Sequence, residues 1–165
     1  QAYGTSSTLR LKSALNRGGT VAYIYMTDVI ADGVQNVLAA DLNWNPSYSY
    51  SELPAEYEGK EVPEHWNVML QKVEPVEKGY PHFNHVYLAN VKATNAKQFI
   101  SASGWNDSLT LNDFTLYNLD VEAEKAGIVA HTKKFRLTDI KLKISDNSQI
   151  EFNKNSQLKK NIRYE

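Results

Sequence analysis

The chain contains no cysteine, which excludes a disulfide framework and any cysteine-ligated metal site. No apolar run approaches the roughly 20 residues that cross a bilayer as a helix. Charge of one sign is lacking too, with 18 Lys and Arg against 19 Asp and Glu. That balance argues against a general nucleic-acid or anionic-membrane surface. Proline is absent outside residues 45–81, where all five occur, at 46, 54, 63, 75 and 81. Hairpin signals are scarce: there is no Asn-Gly, and Asp-Gly occurs only at Asp32–Gly33. No charged and apolar leader follows Gln1. The start reads as a processed or excised piece of something longer, or as the scar of a cleaved tag.

The length, 165 residues at 42% hydrophobic, fits a single domain over 1–165 with a real core. An internal repeat organises it. "IYMTDVIA" (24–31), "VYLANVKA" (86–93), "FTLYNLDV" (114–121) and "FRLTDIKL" (135–142) superpose without gaps. Their apolar columns are Ile24, Val86, Phe114, Phe135, then Met26, Leu88, Leu116, Leu137, then Val29, Val91, Leu119, Ile140, then Ala31, Ala93, Val121, Leu142. Alternation on both sides of a polar residue predicts two short strands with one buried face each. The polar column is Asp28, Asn90, Asn118, Asp139. Asn and Asp tolerate left-handed backbone, so they suit a one-residue corner. Corners in one register predict an interior hydrogen-bonded ladder up the stack.

A further set, "NVLAAD" (36–41), "QFISAS" (98–103) and "GIVAHT" (127–132), predicts a third strand in each repeat. The intervals between the first apolar positions, 24 to 86 to 114 to 135, are 62, 28 and 21 residues. The last two fit one turn of a parallel solenoid, and the first fits once about 45–81 is removed as an insertion. The expected fold is therefore all-β, a right-handed parallel β-helix of about four to five coils with a long aromatic-rich loop. An antiparallel sandwich is the alternative, but it gives no reason for a shared Asn/Asp column. The insertion carries Tyr48, Tyr50, Tyr57, Trp66 and Tyr80, flanked by Trp44, which argues against disorder. These rings either stack on sugar or pack the loop onto the body.

Within "TLRLKS", Leu9 and Leu11 are expected inward, leaving Arg10 and Lys12 about 6.5–7 Å apart on the outer face. A planar fork and a compact charge at that separation suit one sugar carboxylate and its ring oxygens. A solvated strand face is the plainer reading. Gly18 and Gly19 suit a tight turn with positive φ. Arg17 reads either as a groove residue or as the partner of a nearby Asp. His65, His82, His85 and His131 show no metal-ligand spacing, so neither metal nor cofactor is expected. Glu122 and Glu124 read as solvated turn residues.

Arg-x-Lys on a strand ("LRLKS", 9–13), then "NRGG" (16–19) and "VAYIYMTDV" (21–29), resembles the polygalacturonase family of pectin-degrading glycoside hydrolases, glycoside hydrolase family 28. "HFNHVYLANVKATNAKQFISASGW" (82–105) is similar to the late coils of bacterial members. The resemblance implies an acidic, galacturonate-containing polysaccharide as partner, held by Arg10 and Lys12, and a periplasmic or extracellular location. It implies no nucleic acid and no membrane. The family's catalytic Asn-Thr-Asp, Asp-Asp and Gly-His-Gly motifs all precede its Arg-x-Lys strand, and this chain holds none of them. "MTD" (26–28) is no substitute, because Asp28 falls in the corner column. The resemblance thus implies the C-terminal part of such a hydrolase, with no catalytic residue and no activity alone. A non-catalytic polysaccharide-binding β-solenoid and a structural β-solenoid are the other readings. The exposed first coil implies a dimer or a missing N-terminal half.

Overall fold

A computed structural model describes residues 1–45, 49, 53 and 55–165. Tyr48, Tyr50, Pro46 and Pro54 lie outside the described residues. The described residues are mostly β, and their eight strands join one sheet in which every pairing is parallel. They are β1 (Ala2–Tyr3), β2 (Ser7–Lys12), β3 (Thr20–Asp32), β4 (Asn36–Asp41), β5 (His82–Ser103), β6 (Leu111–Ile144), β7 (Glu151–Ser156) and β8 (Lys159–Tyr164). Parallel pairing throughout excludes the antiparallel sandwich for this region.

Sequence spacing and register agree on how the chain returns. Ile24 pairs with Val86 and Val86 with Phe114, while Met26, Leu88 and Leu116 form the next column. The Phe114 and Phe135 rings stack at 5.5 Å and 11°. Each pass of the chain is here called a tier. Inward residues of the middle tiers, such as Leu88, Phe114, Leu116, Phe135 and Leu137, are fully buried and form one core. In the first tiers Leu9, Leu11, Ile24 and Met26 are only partly covered. Among the described residues, β3 meets β1 only at Ala31 and Asp32 on its outer edge.

A straight strand as long as the 34 residues of β6 would exceed about 100 Å. It bends instead at residues with positive φ. Asp28, Asn90, Asn118 and Asp139 take φ of 59°, 53°, 55° and 54°. Asn90 Nδ2 donates to Asp28 Oδ1 at 3.0 Å, Asn118 Nδ2 to Asn90 Oδ1 at 2.8 Å, and Asn161 Nδ2 to Asp139 Oδ1 at 3.4 Å. The four corners recur as expected, but they are exposed rather than interior, and no side-chain bond joins Asn118 to Asp139. The reason is local. Leu88 and Val91 both face the core, so Asn90 is thrown to the outside of the bend.

Exposure changes what the ladder contributes. Asn118→Leu is expected to cost about 1–2 kcal/mol, from left-handed strain in a residue with a large Cβ substituent. Asn118→Gly, which removes the side-chain bond but keeps the backbone freedom, is expected to cost under about 1 kcal/mol. Denaturant melts compare the two, and equal losses would place the energy in the ladder instead.

A second corner column lies five residues before the first. Tyr23, His85, Asp113 and Lys134 take φ of 59°, 54°, 57° and 55°. These four residue types share no turn signature, so the column is invisible in the sequence.

The third-strand alignment needs a correction. Asn36 pairs with Gln98 as expected, but Gln98 pairs with Lys125 and Ile100 with Gly127. The segment 127–132 is therefore displaced by two residues from its expected register with 98–103. A register irregularity between Ala93 and Ala96 shortens the interval between these tiers. A two-residue slip leaves the same side chains facing inward, so alternation cannot detect it.

The insertion is anchored at both ends to the turn before β3. Trp44 N donates to Ser13 O at 3.1 Å, Gly18 N to Gly79 O at 2.8 Å and His82 N to Gly19 O at 2.9 Å. It contains 3-10 turns at Ala55–Tyr57 and Val76–Gly79 and a short helix, α1 (His65–Met69). Trp66 is buried with the Tyr57 ring edge-on at 5.5 Å, and Tyr80 packs against the core. These three rings pack the loop rather than present it. Gly18 and Gly19 have φ of 61° and 82°, as a tight turn requires. A Cβ at Gly18 would meet Lys78 O at 2.2 Å, so the turn also needs glycine for the close approach of the returning insertion.

Candidate functional site

Arg10 and Lys12 lie on β2, the edge strand of the sheet order. Leu9 and Leu11 between them turn toward the core and are partly buried, and both cations are exposed. Arg10 pairs across to Ala39 and Lys12 to Asp41, and the next tier continues with Ser101 and Ser103. Small side chains below two long cations leave a cleft of about 320 Å³, lined by Arg10, Asn36, Ala39, Asp41, Trp44 and Ser101 among others.

Trp44 ties the pair together. Its ring centroid lies 5.3 Å from Arg10 Cζ and 4.2 Å from Lys12 Nζ, within cation–π range. Neither cation forms an ion pair with a described residue. Among the described residues the site therefore sets two cations on one aromatic wall, with Asp41 the neighbouring carboxylate but in no ion pair with either. Such an arrangement attracts a carboxylate and offers a flat apolar surface beside it. The sequence marked Trp44 only as a flank of the insertion. Its reach back to β2 follows from the Trp44–Ser13 backbone bond, which no local pattern announces.

The other singled-out residues fall elsewhere. Arg17 is exposed and forms no ion pair with a described residue. Glu122 pairs with Lys143 at 3.0 Å and Glu124 with Lys97 at 2.5 Å. His65 lies beside Trp66 on α1, and His131 Nδ1 meets Asp107 Oδ1 at 2.9 Å. His82 and Asn84 line a separate polar cleft with Asp107, Asn112 and Lys133. No group of three or more His, Asp or Glu among the described residues is placed to hold a metal ion.

His85 enters a relay across four tiers. Its ring stacks on Tyr23 at 4.9 Å and 12°, and its Nδ1 meets Asp113 Oδ2 at 2.7 Å. Arg136 Nη1 donates to Asp113 Oδ1 at 2.6 Å. The Arg136 hydrogen bond holds the Asp113 carboxyl below its usual range, against a smaller opposing effect of burial, with His85 assisting. Asp28 is lowered by Asn90 and then Thr27, and Asp32 by Thr94 and then Asn95. A carboxyl depressed in the folded state stabilises it above the unfolded value, near pH 3.9, and loses that contribution as pH falls through the folded value. Wild type is thus expected to lose melting temperature below about pH 4. Asp113→Asn should narrow the gap to wild type between about pH 5 and pH 3. Thermal melts at the two pH values check this, and a constant gap would mean that Asp113 contributes by packing alone.

Comparison of the chain with protein-family models, with curated proteins and with solved structures returns no match.

Proposed function

We propose that the chain is a right-handed parallel β-helix of the polygalacturonase-like kind, and that Arg10, Lys12 and Trp44 form part of a groove for galacturonate-containing polysaccharide. The observation that carries the reading is the placement of Arg10 and Lys12 on an exposed edge strand, unpaired with any described carboxylate and gathered on one Trp ring. The cleft beside them is floored by small side chains, which leaves room for a sugar ring.

On this reading the chain holds substrate without cleaving it. Glycoside hydrolysis takes two positioned carboxyl groups, one acting as acid and one as base or nucleophile. Asp41 is the one carboxylate among the described residues lining the cleft. The half-covered Leu9, Leu11, Ile24 and Met26 support a further layer of structure above the first tier, supplied by more of the same kind of fold or by a second copy. The same observations serve a non-catalytic polysaccharide-binding solenoid, which differs only in what lies beyond this chain.

Binding is expected to be millimolar, about 4 kcal/mol in total. It should weaken with salt, because exposed charges are screened over about 10 Å at 0.1 M. Chemical-shift titration with oligogalacturonate should move Arg10, Lys12 and Trp44 together. Arg10→Ala and Lys12→Ala should each reduce affinity, and no reducing sugar should be released from polygalacturonate. Shifts that leave Arg10 and Lys12 untouched would reduce the pair to a solvated strand face. Sugar release above a buffer control would overturn the inactive assignment.

A further inference from the structure

A different face of the sheet presents aromatic rings where solvent-exposed strands ordinarily carry charge. Between the two corner columns, alternate residues form two rows across the tiers, all of them at least partly exposed except the buried Ala89. One row runs Tyr25, Tyr87, Thr115, and the other Thr27, Ala89, Tyr117. Arg136 continues the first row, with its Nη1 3.4 Å from Thr115 Oγ1. Tyr25 is 71% exposed and Tyr117 41% exposed. The Tyr25 and Tyr87 ring centroids are 6.3 Å apart, and Tyr23 lies alongside on His85.

We infer that this Tyr25–Tyr87–Tyr117–Arg136 face binds an acidic polysaccharide laid across the tiers. The rings carry hydroxyl tips, and their neighbours Thr27 and Thr115 add hydroxyls. Ala89 is the only aliphatic side chain in the two rows. Such a surface matches a pyranose, which has an apolar C–H face and a polar rim, better than the aliphatic core of a protein partner.

Charge decides the ligand class further. Residues 133–165 hold nine of the 18 cations and four of the 19 acids, while residues 1–132 hold nine cations and 15 acids. The face follows that gradient. Its tyrosine tiers carry no cation in either row, and its next tiers carry Arg136 and, in register with it, Lys159. Asp113 engages one nitrogen of Arg136, and the guanidinium retains other donors. A chain of mainly neutral rings with spaced carboxylates or sulfates fits this pattern. A single-stranded nucleic acid carries a phosphate on every residue, and those over the tyrosine tiers would find no cation but Asp28 and Asp113 at the flanks.

The inference shares its ligand class with the Arg10–Lys12–Trp44 reading but stands on other residues, two corners further along each tier. Affinity electrophoresis through gels containing largely methyl-esterified polygalacturonate, whose rings are mainly neutral with spaced carboxylates, separates the two. In an Arg10→Ala/Lys12→Ala background, adding Tyr25→Ala and Tyr117→Ala is expected to weaken retardation by about fivefold or more. Lys159→Ala in the same background should weaken it and reduce its salt dependence. Both tyrosines are exposed, so a thermal melt should show the variants folded. Retardation unchanged by the tyrosine substitutions would overturn the inference and leave the Arg10–Lys12 reading intact. Retardation unchanged by Arg10→Ala/Lys12→Ala but lost on the tyrosine substitutions would do the reverse. Tighter retention by oligothymidylate than by the largely methyl-esterified polygalacturonate would overturn the polysaccharide assignment.

Discussion

Gly127→Ala is expected to destabilise the fold by more than about 3 kcal/mol, enough to remove a large part of the stability of a domain this size. Two effects combine. Gly127 has φ of 103°, a region that essentially only glycine occupies. A Cβ there would lie 1.8 Å from Ile100 O and 2.7 Å from Gln98 Nε2. The obstructing carbonyl belongs to the register partner one tier away, so it cannot retreat without opening the β5–β6 ladder. Gln98 Nε2 also donates to that carbonyl at 2.8 Å, which fixes it further. Gly19→Ala isolates the backbone term, because its φ is 82° and nothing lies within 4 Å of the added carbon. It should cost about 1–2 kcal/mol. Urea melts of both variants check the difference, and a Gly127→Ala loss no larger than that of Gly19→Ala would mean that the tiers yield at this point.

The second large effect concerns the aromatic stack. Phe83, Phe99, Phe114 and Phe135 are all below 2% exposed, and Phe114 and Phe135 are stacked face to face. Phe114→Ala is expected to cost about 3–5 kcal/mol, from lost burial and from the cavity between tiers. Phe114→Leu keeps much of the volume and should cost under about 1.5 kcal/mol. The double variant Phe114→Ala/Phe135→Ala should lose less than the sum of its parts, because the two rings share one contact. Equilibrium denaturation measures all three. Strict additivity would show that the rings act independently despite their stacking.

The apolar columns were readable because one face of each strand must be buried, and burial leaves a period of two that composition cannot hide. The Asn/Asp column was readable because left-handed corners select those residue types. Its burial was misread, since a residue's type reveals its backbone tolerance but not the side of the bend it occupies. The Tyr23–His85–Asp113–Lys134 corners escaped notice for the opposite reason: the same backbone state is held by four side chains with nothing in common. The slip at 125–130 escaped because alternation repeats every second residue. At the candidate site, Arg10 and Lys12 could be found from spacing on β2. Trp44 could not be joined to them, because its contact depends on a chain reversal between the end of β4 and Ser13.

The register also says how this protein would come apart. Among the described residues successive tiers pair in turn, and no pairing skips from one tier to the next but one. On the proposed parallel β-helix, each layer is steadied only by its immediate neighbours, as pages are in a stack, and cohesion is shared along a line rather than around a centre. Opening should begin at the outermost layers, β2 with the front of β3 and, at the other end, β8. Amide hydrogen exchange would then be fastest at those margins and slowest through Val86–Leu142, so the proposed Arg10–Lys12 groove sits on the most labile layer of the molecule.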